Sequence, residues 1–339
     1  MTKKRLPYRD SAYLDGSAMV RLAGHFDDLA TGRTQVPMQP VSTRIRERIS
    51  DPEVLAYHDR LVPKTGPLFA HFLASVPCIL EEMSRLGVAL TRLSQRRAKA
   101  NDRIFTFYEV DAFDGSNGRT LADHANGRIK TFTNSPNQAN EVHFEKFANH
   151  ALSKFHSASF LNVGEKLFSE NPSLAEFQDG FDYIYETVAF QFYGKDRVDQ
   201  IGHIAQLLKD DGLIFFLEKL GHPSIEEYER RERAKDELHK SHYFTAEEIE
   251  WKRQQMLSQM QNGQVNFSEL IEAIQVHFRY IYLIWNSTNF YEFVASNSKK
   301  NVEDFISLLG EPNVPGEFVF EEFSVPKAVN TDVRLSAKA

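Results

Sequence analysis

Cysteine is nearly missing from this sequence: Cys78 is the only one in 339 residues, so no intramolecular disulfide can form and no cysteine cluster can hold zinc. That fits a reducing compartment, and the chain is read as cytoplasmic. Long apolar runs are lacking as well. Lys3, Lys4 and Arg5 open the chain, but no stretch long enough for a signal peptide or a membrane span follows, and no membrane partner is expected. An excess of positive charge is lacking: 40 Lys and Arg are outnumbered by 47 Asp and Glu, and the formal net charge of −7 opposes broad binding to a phosphate backbone, which needs a basic face to displace counterions. No nucleic-acid partner is expected, and a small-molecule or carrier-bound substrate is favoured. The G-x-S-x-G elbow, the P-loop lysine motif and the G-x-G-x-x-G fingerprint are all missing. His239 and His242 stand three apart, but no Asp, Glu or His set elsewhere completes a site with them, so no metal is expected.

What is present is an ordinary globular balance, 42% apolar and 26% charged residues, enough to bury a sizeable core. One α/β sheet with a helical appendage accounts for the length. Residues 1–100 show helical patterns and read as a separate helical cap. Within them 67–88 (PLFAHFLASVPCILEEMSRLGV) carries Leu68, Phe69, Phe72, Leu73, Val76, Ile79, Leu80 and Met83 at spacings of three and four, a stripe interrupted at Pro77 that predicts a kinked helix. From 101 to 325 the pattern alternates between strand and helix, which implies crossover units and a mainly parallel sheet. Strands are expected at 104–110, 128–133, 159–163, 181–186 and 213–219, the last entered through an Asp210-Asp211-Gly212 turn. The charge-rich 225–260, within a helical insertion at about 222–262, reads as helices with a solvated face. Two apolar strands at 280–285 and 290–296 close the pattern as a hairpin, and 326–339 reads as a flexible tail. The expected fold is α/β: a Rossmann-like, mainly parallel seven-stranded sheet with an antiparallel terminal hairpin and an N-terminal helical cap.

In an open parallel sheet, ligands bind beyond the carboxyl ends of the strands, where the loop after the first strand meets a helix N-terminus. That loop is EVDAFDGSNG, 109–118. An acid, Glu109, followed by a turn glycine, Gly115, with Gly118 as a second small position, resembles the first motif of class I S-adenosylmethionine-dependent methyltransferases. Asp111 and Phe113 depart from it, standing where that family often has small residues. The stretch 180–219, with an acidic and aromatic strand, a helix and a Leu-Lys-Asp-Asp-Gly turn into an apolar strand, resembles that family's fourth and fifth motifs. The terminal hairpin is similar to its antiparallel seventh strand, where a nicotinamide-binding Rossmann domain ordinarily ends on a parallel one. The resemblance covers roughly residues 103–297 and lies in the order of elements.

The resemblance implies S-adenosylmethionine as cofactor. Its ammonium and sulfonium would suit Glu109, Asp111 and Asp114, with Gly115 in the turn, whereas a pyrophosphate would be repelled by them. Asn134 and Ser135 follow the second strand and are candidates for the ribose or adenine edge. Glu186 and Thr187 end the fourth strand. Phe190 and Tyr193 offer aromatic faces to a sulfonium, and Tyr8, Tyr13 or both, in the cap, are expected to order against bound ligand. Catalytic candidates are Glu186, Tyr193 and His222, with Glu218 as a further possible base; His203, mid-helix, reads as packing. The leading function is methyl transfer. Cyclisation of the cofactor to azetidine-2-carboxylate with release of methylthioadenosine, a binding module without turnover, and a dehydrogenase are the alternatives.

Overall fold

The computed structural model describes residues 16–98 and 102–329. Eight strands form one sheet in the order β3-β2-β1-β4-β5-β7-β6-β8. They are β1 Phe105–Val110, β2 Ile129–Ser135, β3 Ser153–Ser157, β4 Phe181–Thr187, β5 Leu208–Lys219, β6 Tyr280–Ser287, β7 Phe290–Ser296 and β8 Lys327–Ala328. Neighbours from β3 to β5 run parallel, and β7 inserts antiparallel between β5 and β6. β1 and β4 are buried along their whole length, as strands covered on both faces by helices must be, including the polar Thr106, Glu109, Asp182, Glu186 and Thr187 that interrupt their apolar residues. The arrangement is Rossmann-like and mainly parallel, with the antiparallel hairpin expected from 280–296. An eighth, two-residue strand is added, so the segment read as a tail begins by pairing with β6.

The helices are α1 Ala18–Arg21, α2 Ala23–Ala30, α3 Pro52–Leu61, α4 Pro67–Leu73, α5 Ile79–Ala98, α6 Ser116–His124, α7 Ala139–Phe147, α8 Glu165–Glu170, α9 Arg197–Ala205, α10 Ile225–Leu238, α11 Ala246–Lys252, α12 Ser258–Gln261, α13 Phe267–His277 and α14 Lys299–Leu309. The helical stripe at 67–88 is two helices rather than one kinked one. Pro77 disfavours helical backbone at the residue before it, and Cys78 turns the chain at φ 63°. Residues of α3–α5 such as Tyr57, Phe69, Ile79 and Leu90 share one core with Phe105, Phe107, Tyr183 and Phe215 of the sheet. Much of the N-terminal region is therefore a layer of the main domain, with α1 and α2 lying at the ligand edge.

Two further expectations need correction. The third strand is Ser153–Ser157, not 159–163, where Phe160–Asn162 forms a 3₁₀ turn. A short apolar run is ambiguous by periodicity alone: Phe160 is buried against Phe190, Tyr193 and His203, while the polar strand lies at the sheet edge and pairs with β2 on one side. The Asp210-Asp211-Gly212 turn is instead an irregularity inside β5, where the register slips between Phe181↔Leu208 and Tyr183↔Leu213.

Gly87 in α5 shows how closely the layer meets the sheet. A Cβ there would stand 2.3 Å from the Tyr57 ring, and the Tyr57 hydroxyl donates to Asn117 Oδ1 at 2.8 Å in the first turn of α6. Overpacking of this kind costs about 1–3 kcal/mol. Gly87→Ala is expected to lower the unfolding free energy by that amount in a denaturant titration. An unchanged midpoint would mean that the ring moves aside freely.

Candidate functional site

The carboxyl ends of β1, β2 and β4 converge on the loop 111–115. Its backbone is unusual: Asp111, Phe113 and Gly115 have φ of 48°, 52° and 65°, a region in which glycine is at ease and a phenylalanine is strained. At Gly115 a Cβ would meet Thr133 Oγ1 at 2.9 Å. Gly118 fills the role of a close-approach position, because a Cβ there would stand 2.7 Å from Glu109 Oε2.

The three loop acids have different partners. Glu109 accepts from Asn117 Nδ2 at 2.7 Å and from the Gly118 backbone N–H at 2.9 Å. It therefore serves the N-terminus of α6, where a carboxylate also meets the positive end of the helix dipole. Asp114 accepts from the Gly66 N–H at 2.8 Å and lies 3.4 Å from Arg119, tying the loop to the start of α4. Asp111 accepts from Asn134 Nδ2 at 2.5 Å, from the Phe160 N–H at 2.8 Å and from the Tyr193 hydroxyl. Burial pushes Glu109 and Asp111 each up to about 7, against hydrogen bonds that favour ionisation.

Three adjoining cavities follow this edge. The first lies over the ends of β2 and β3, between Met19, Ala23 and Phe26 on one side and Pro136, Asn137 and Ser159 on the other. The middle one is lined by Asp111, Phe113, Ser135, Asn140, Thr187 and Phe192. The third extends over the ends of β4 and β5. Phe26 lines all three; Leu68, Phe113, Thr187 and Phe192 are shared by the second and third. Thr187 Oγ1 is buried there without a hydrogen-bond partner among the described residues.

Of the residues selected from sequence, Asp111, Ser135 and Thr187 meet at the middle cavity; Ser135 Oγ also accepts from Asn140 Nδ2 at 2.9 Å. Glu109, Asp114 and Gly115 shape the loop. Asn134 is committed: its Oδ1 accepts from Tyr108 and from the Asp111 N–H, and its Nδ2 donates to Asp111 and Ala158. Glu186 accepts from the Ala189 and Phe190 N–H groups. Burial first, and then Glu218, raises its pKa well above the carboxylate range. Glu218 itself pairs with Arg197 at 2.6 Å. Phe190 is core, beneath Arg197, and the Tyr193 ring packs edge-on against Phe160. Neither aromatic lines the three cavities; Phe26, Phe113 and Phe192 supply the aromatic faces instead. His222 accepts from the Ser224 N–H at 3.0 Å at the start of α10, outside the three cavities. His203 bonds the Phe160 and Val163 carbonyls, as packing. Tyr8 and Tyr13 lie outside the described residues. Among the described residues no His, Cys, Asp and Glu group has a metal-ligand arrangement, and no helix is long and apolar enough to cross a membrane.

The strand order, with β7 antiparallel between β5 and β6, and the cleft at the parallel carboxyl edge define a class I methyltransferase-like fold. No protein-family profile matches the chain, and no curated protein matches it. Similar solved structures include the plantazolicin methyltransferase BpumL in complex with SAH, 10% identical over 82% of this chain and 100% of that one, TM-score 0.43. Others are the cyclopropane synthase MmaA2 from Mycobacterium tuberculosis, 14% identical over 82% and 77%, TM-score 0.41, and the magnesium protoporphyrin IX methyltransferase from Synechocystis PCC 6803 with bound SAM, 10% identical over 65% and 84%, TM-score 0.37. These are distant likenesses, and the fold class rests on the strand order.

Two measurements follow from the loop. Glu109 and Asp111 hold their protons more tightly folded than unfolded, so their contribution to stability is fully present below their ordinary pKa values and is lost as pH rises through about 7. Unfolding free energy of the ligand-free protein is expected to fall between pH 5 and 8, by at most ~1.4 kcal/mol per pH unit for each group, and the fall should be shallower in Asp111→Asn. A slope identical in that variant would remove Asp111 from the titrating pair. Tyr193→Phe keeps the ring but deletes the donor to Asp111, and is expected to destabilise by about 1–3 kcal/mol; a thermal midpoint equal to wild type would show that the hydroxyl is dispensable.

Proposed function

We propose that the protein binds S-adenosylmethionine along the first and middle cavities and catalyses transfer of its methyl group to a small-molecule or carrier-bound acceptor in the third. The observation that carries this reading is the placement of the Asp111 carboxylate and the partnerless Thr187 hydroxyl in one cavity wall, at the carboxyl ends of adjacent parallel strands β1 and β4. A carboxylate there suits a cation and opposes a pyrophosphate. Asn137, Gln138 and Ser159 give the first cavity donors and acceptors for a nucleoside.

When bound, the cofactor supplies an electrophilic methyl group: the acceptor's lone pair forms the new bond to carbon as the sulfur–carbon bond breaks with its electrons to sulfur, and any proton on the acceptor atom leaves to water. The chain's own part is positioning and exclusion of water. Phe26, Phe113 and Phe192 wall the junction between cavities and offer π faces toward positive charge, worth about 0.5–2 kcal/mol each when desolvated. Asp111, held by three donors, supplies a charge that needs no reorganisation. Glu186, bonded to the Ala189 and Phe190 amides, orients the turn after β4.

Calorimetry with S-adenosylmethionine, S-adenosylhomocysteine and NAD is the direct test. The first two are expected to bind and NAD to bind far more weakly; NAD binding as tight as either would overturn the reading. Affinity for S-adenosylmethionine should rise by up to about tenfold from pH 6 to pH 8 as Asp111 ionises through about 7, and Asp111→Asn should flatten that rise. S-adenosylhomocysteine should accumulate only with an acceptor present, whereas enzyme-dependent methylthioadenosine from cofactor alone would replace methyl transfer by cyclisation.

A further inference from the structure

The third cavity has an apolar wall interrupted by four lysine side chains. Lys219 ends β5, Lys235 lies in α10, Lys240 follows it, and Lys252 ends α11; all four line the cavity together with phenylalanines 26, 72, 113, 192 and 290. They are 1%, 1%, 2% and 6% exposed. Lysines are almost never buried to this degree unless paired, so their partners decide what the cavity is for.

The carboxylates nearby do not match them in number. Lys219 and Lys235 share one oxygen of Glu232, at 2.8 and 2.5 Å, while its other oxygen accepts from Asn289 at 2.9 Å. Lys240 lies 2.7 Å from Asp236 Oδ1 without hydrogen-bond geometry, and Asp236 Oδ2 is taken by Arg253 at 2.5 Å. Among the described residues Lys252 has only neutral hydrogen-bond partners: His71 Nε2 at 2.5 Å and Ser75 Oγ at 2.8 Å. The second ring nitrogen of His71 lies 3.1 Å from the Gln35 carbonyl, and burial holds this histidine neutral, so Nε2 is free to accept. Four lysine side chains thus face two carboxylates, one of which also serves Arg253. Burial first, and then the neighbouring lysines, lowers Lys252 well below the usual lysine range and Lys240 to about 8, so an entering anion would supply the counter-charge that lets both hold their protons. In a low-dielectric cavity an uncompensated charge is expensive, and an anion entering the cavity would be met by Lys240, whose amine lacks a well-placed acceptor among the described residues, and by Lys252, which takes up a proton as the anion enters.

We propose that this cavity is the acceptor site and selects a small acceptor that carries an anionic group, carboxylate or phosphate, on an apolar body. The assignment rests on the transferase reading above for its reaction, but the binding it requires can be measured separately. Lys240 and Lys252 hold the anion, Lys219 and Lys235 are held by Glu232 as the second layer of charge, and the phenylalanines take the apolar body.

The test uses the full chain, loaded with S-adenosylhomocysteine and also without it, and titrated calorimetrically with phenylacetate, phenyl phosphate and the uncharged phenylacetamide. At least one anion is expected to bind tenfold or more tightly than the amide, and which of the two prevails separates a carboxylate from a phosphate site. Lys252→Met and Lys240→Met should each remove most of that preference while leaving S-adenosylhomocysteine affinity within twofold. Amide binding equal to that of both anions, or no anion binding in wild type, would overturn the anion site whatever the variants do, and the wild-type comparison stands if a variant fails to fold. Failure of S-adenosylhomocysteine to bind would sink the transferase reading; anion preference in the unloaded protein would then still support the anion site.

Discussion

A buried carboxylate must be compensated where it sits, and at Asp111 that compensation comes from three separate turns of the chain. Asn134 follows on β2, Phe160 on the 3₁₀ turn after β3, and Tyr193 on the turn after β4. Leaving one of these donors out would strand charge in a low-dielectric site, so the three strand ends are held in mutual register by one side chain. Asp111 itself needs left-handed backbone to reach them. The strain is tolerated because the surroundings over-determine it, as is common where strands open onto a ligand site. Glu109 and Asp114 complete the loop from the other side, gripping α6 and the start of α4.

The same logic governs the charged segment after β5. Glu227, Arg231, Glu232, Lys235 and Asp236 of α10 are all buried, a disposition that isolated charges would not survive. Arg231 pairs with both Glu227 and Glu321, and Glu232 pairs with Lys219 from the sheet. Such buried networks add little stability over an apolar core of the same shape. Their effect here is to place ammonium groups at fixed points over the carboxyl end of β5, beside the cavity that receives Phe113 and Thr187 from the neighbouring strands.

Aromatic side chains illustrate how a residue type misleads when its neighbours are unknown. Phe190 and Tyr193 directly follow β4 and have the composition of a sulfonium wall, yet their rings are consumed by Phe160 and Arg197. Phe113, a departure from the resembled motif, stands at the cavity junction because its left-handed backbone turns the ring toward Phe69 and Phe72. Phe26 lies far upstream in α2 and reaches Phe192 edge-on. No local pattern connects those two positions.

The amino-acid sequence by itself determined the class of the sheet. Strands covered on both faces are rich in aromatic and branched apolar residues, as in 104–110, 181–186 and 213–219, even where Glu109, Asp182, Glu186 and Glu218 interrupt them, and the hairpin at 280–296 is legible because its two apolar segments flank a short polar turn. It also placed the loop after the first parallel strand, 109–118, at the carboxyl edge of the sheet, where open parallel sheets leave a cleft whatever the side chains. Tertiary structure alone decided the rest: that Glu109 serves a helix N-terminus while Asp111 lines a cavity, that 153–157 and not 159–163 is the edge strand, and that the lysines of 219–252 are buried rather than solvated. Periodicity reports which side of an element is covered, and charge reports that a partner is needed. Which partner answers depends on segments brought together from remote positions, as Lys252 is to His71, and that convergence is a property of the packed chain.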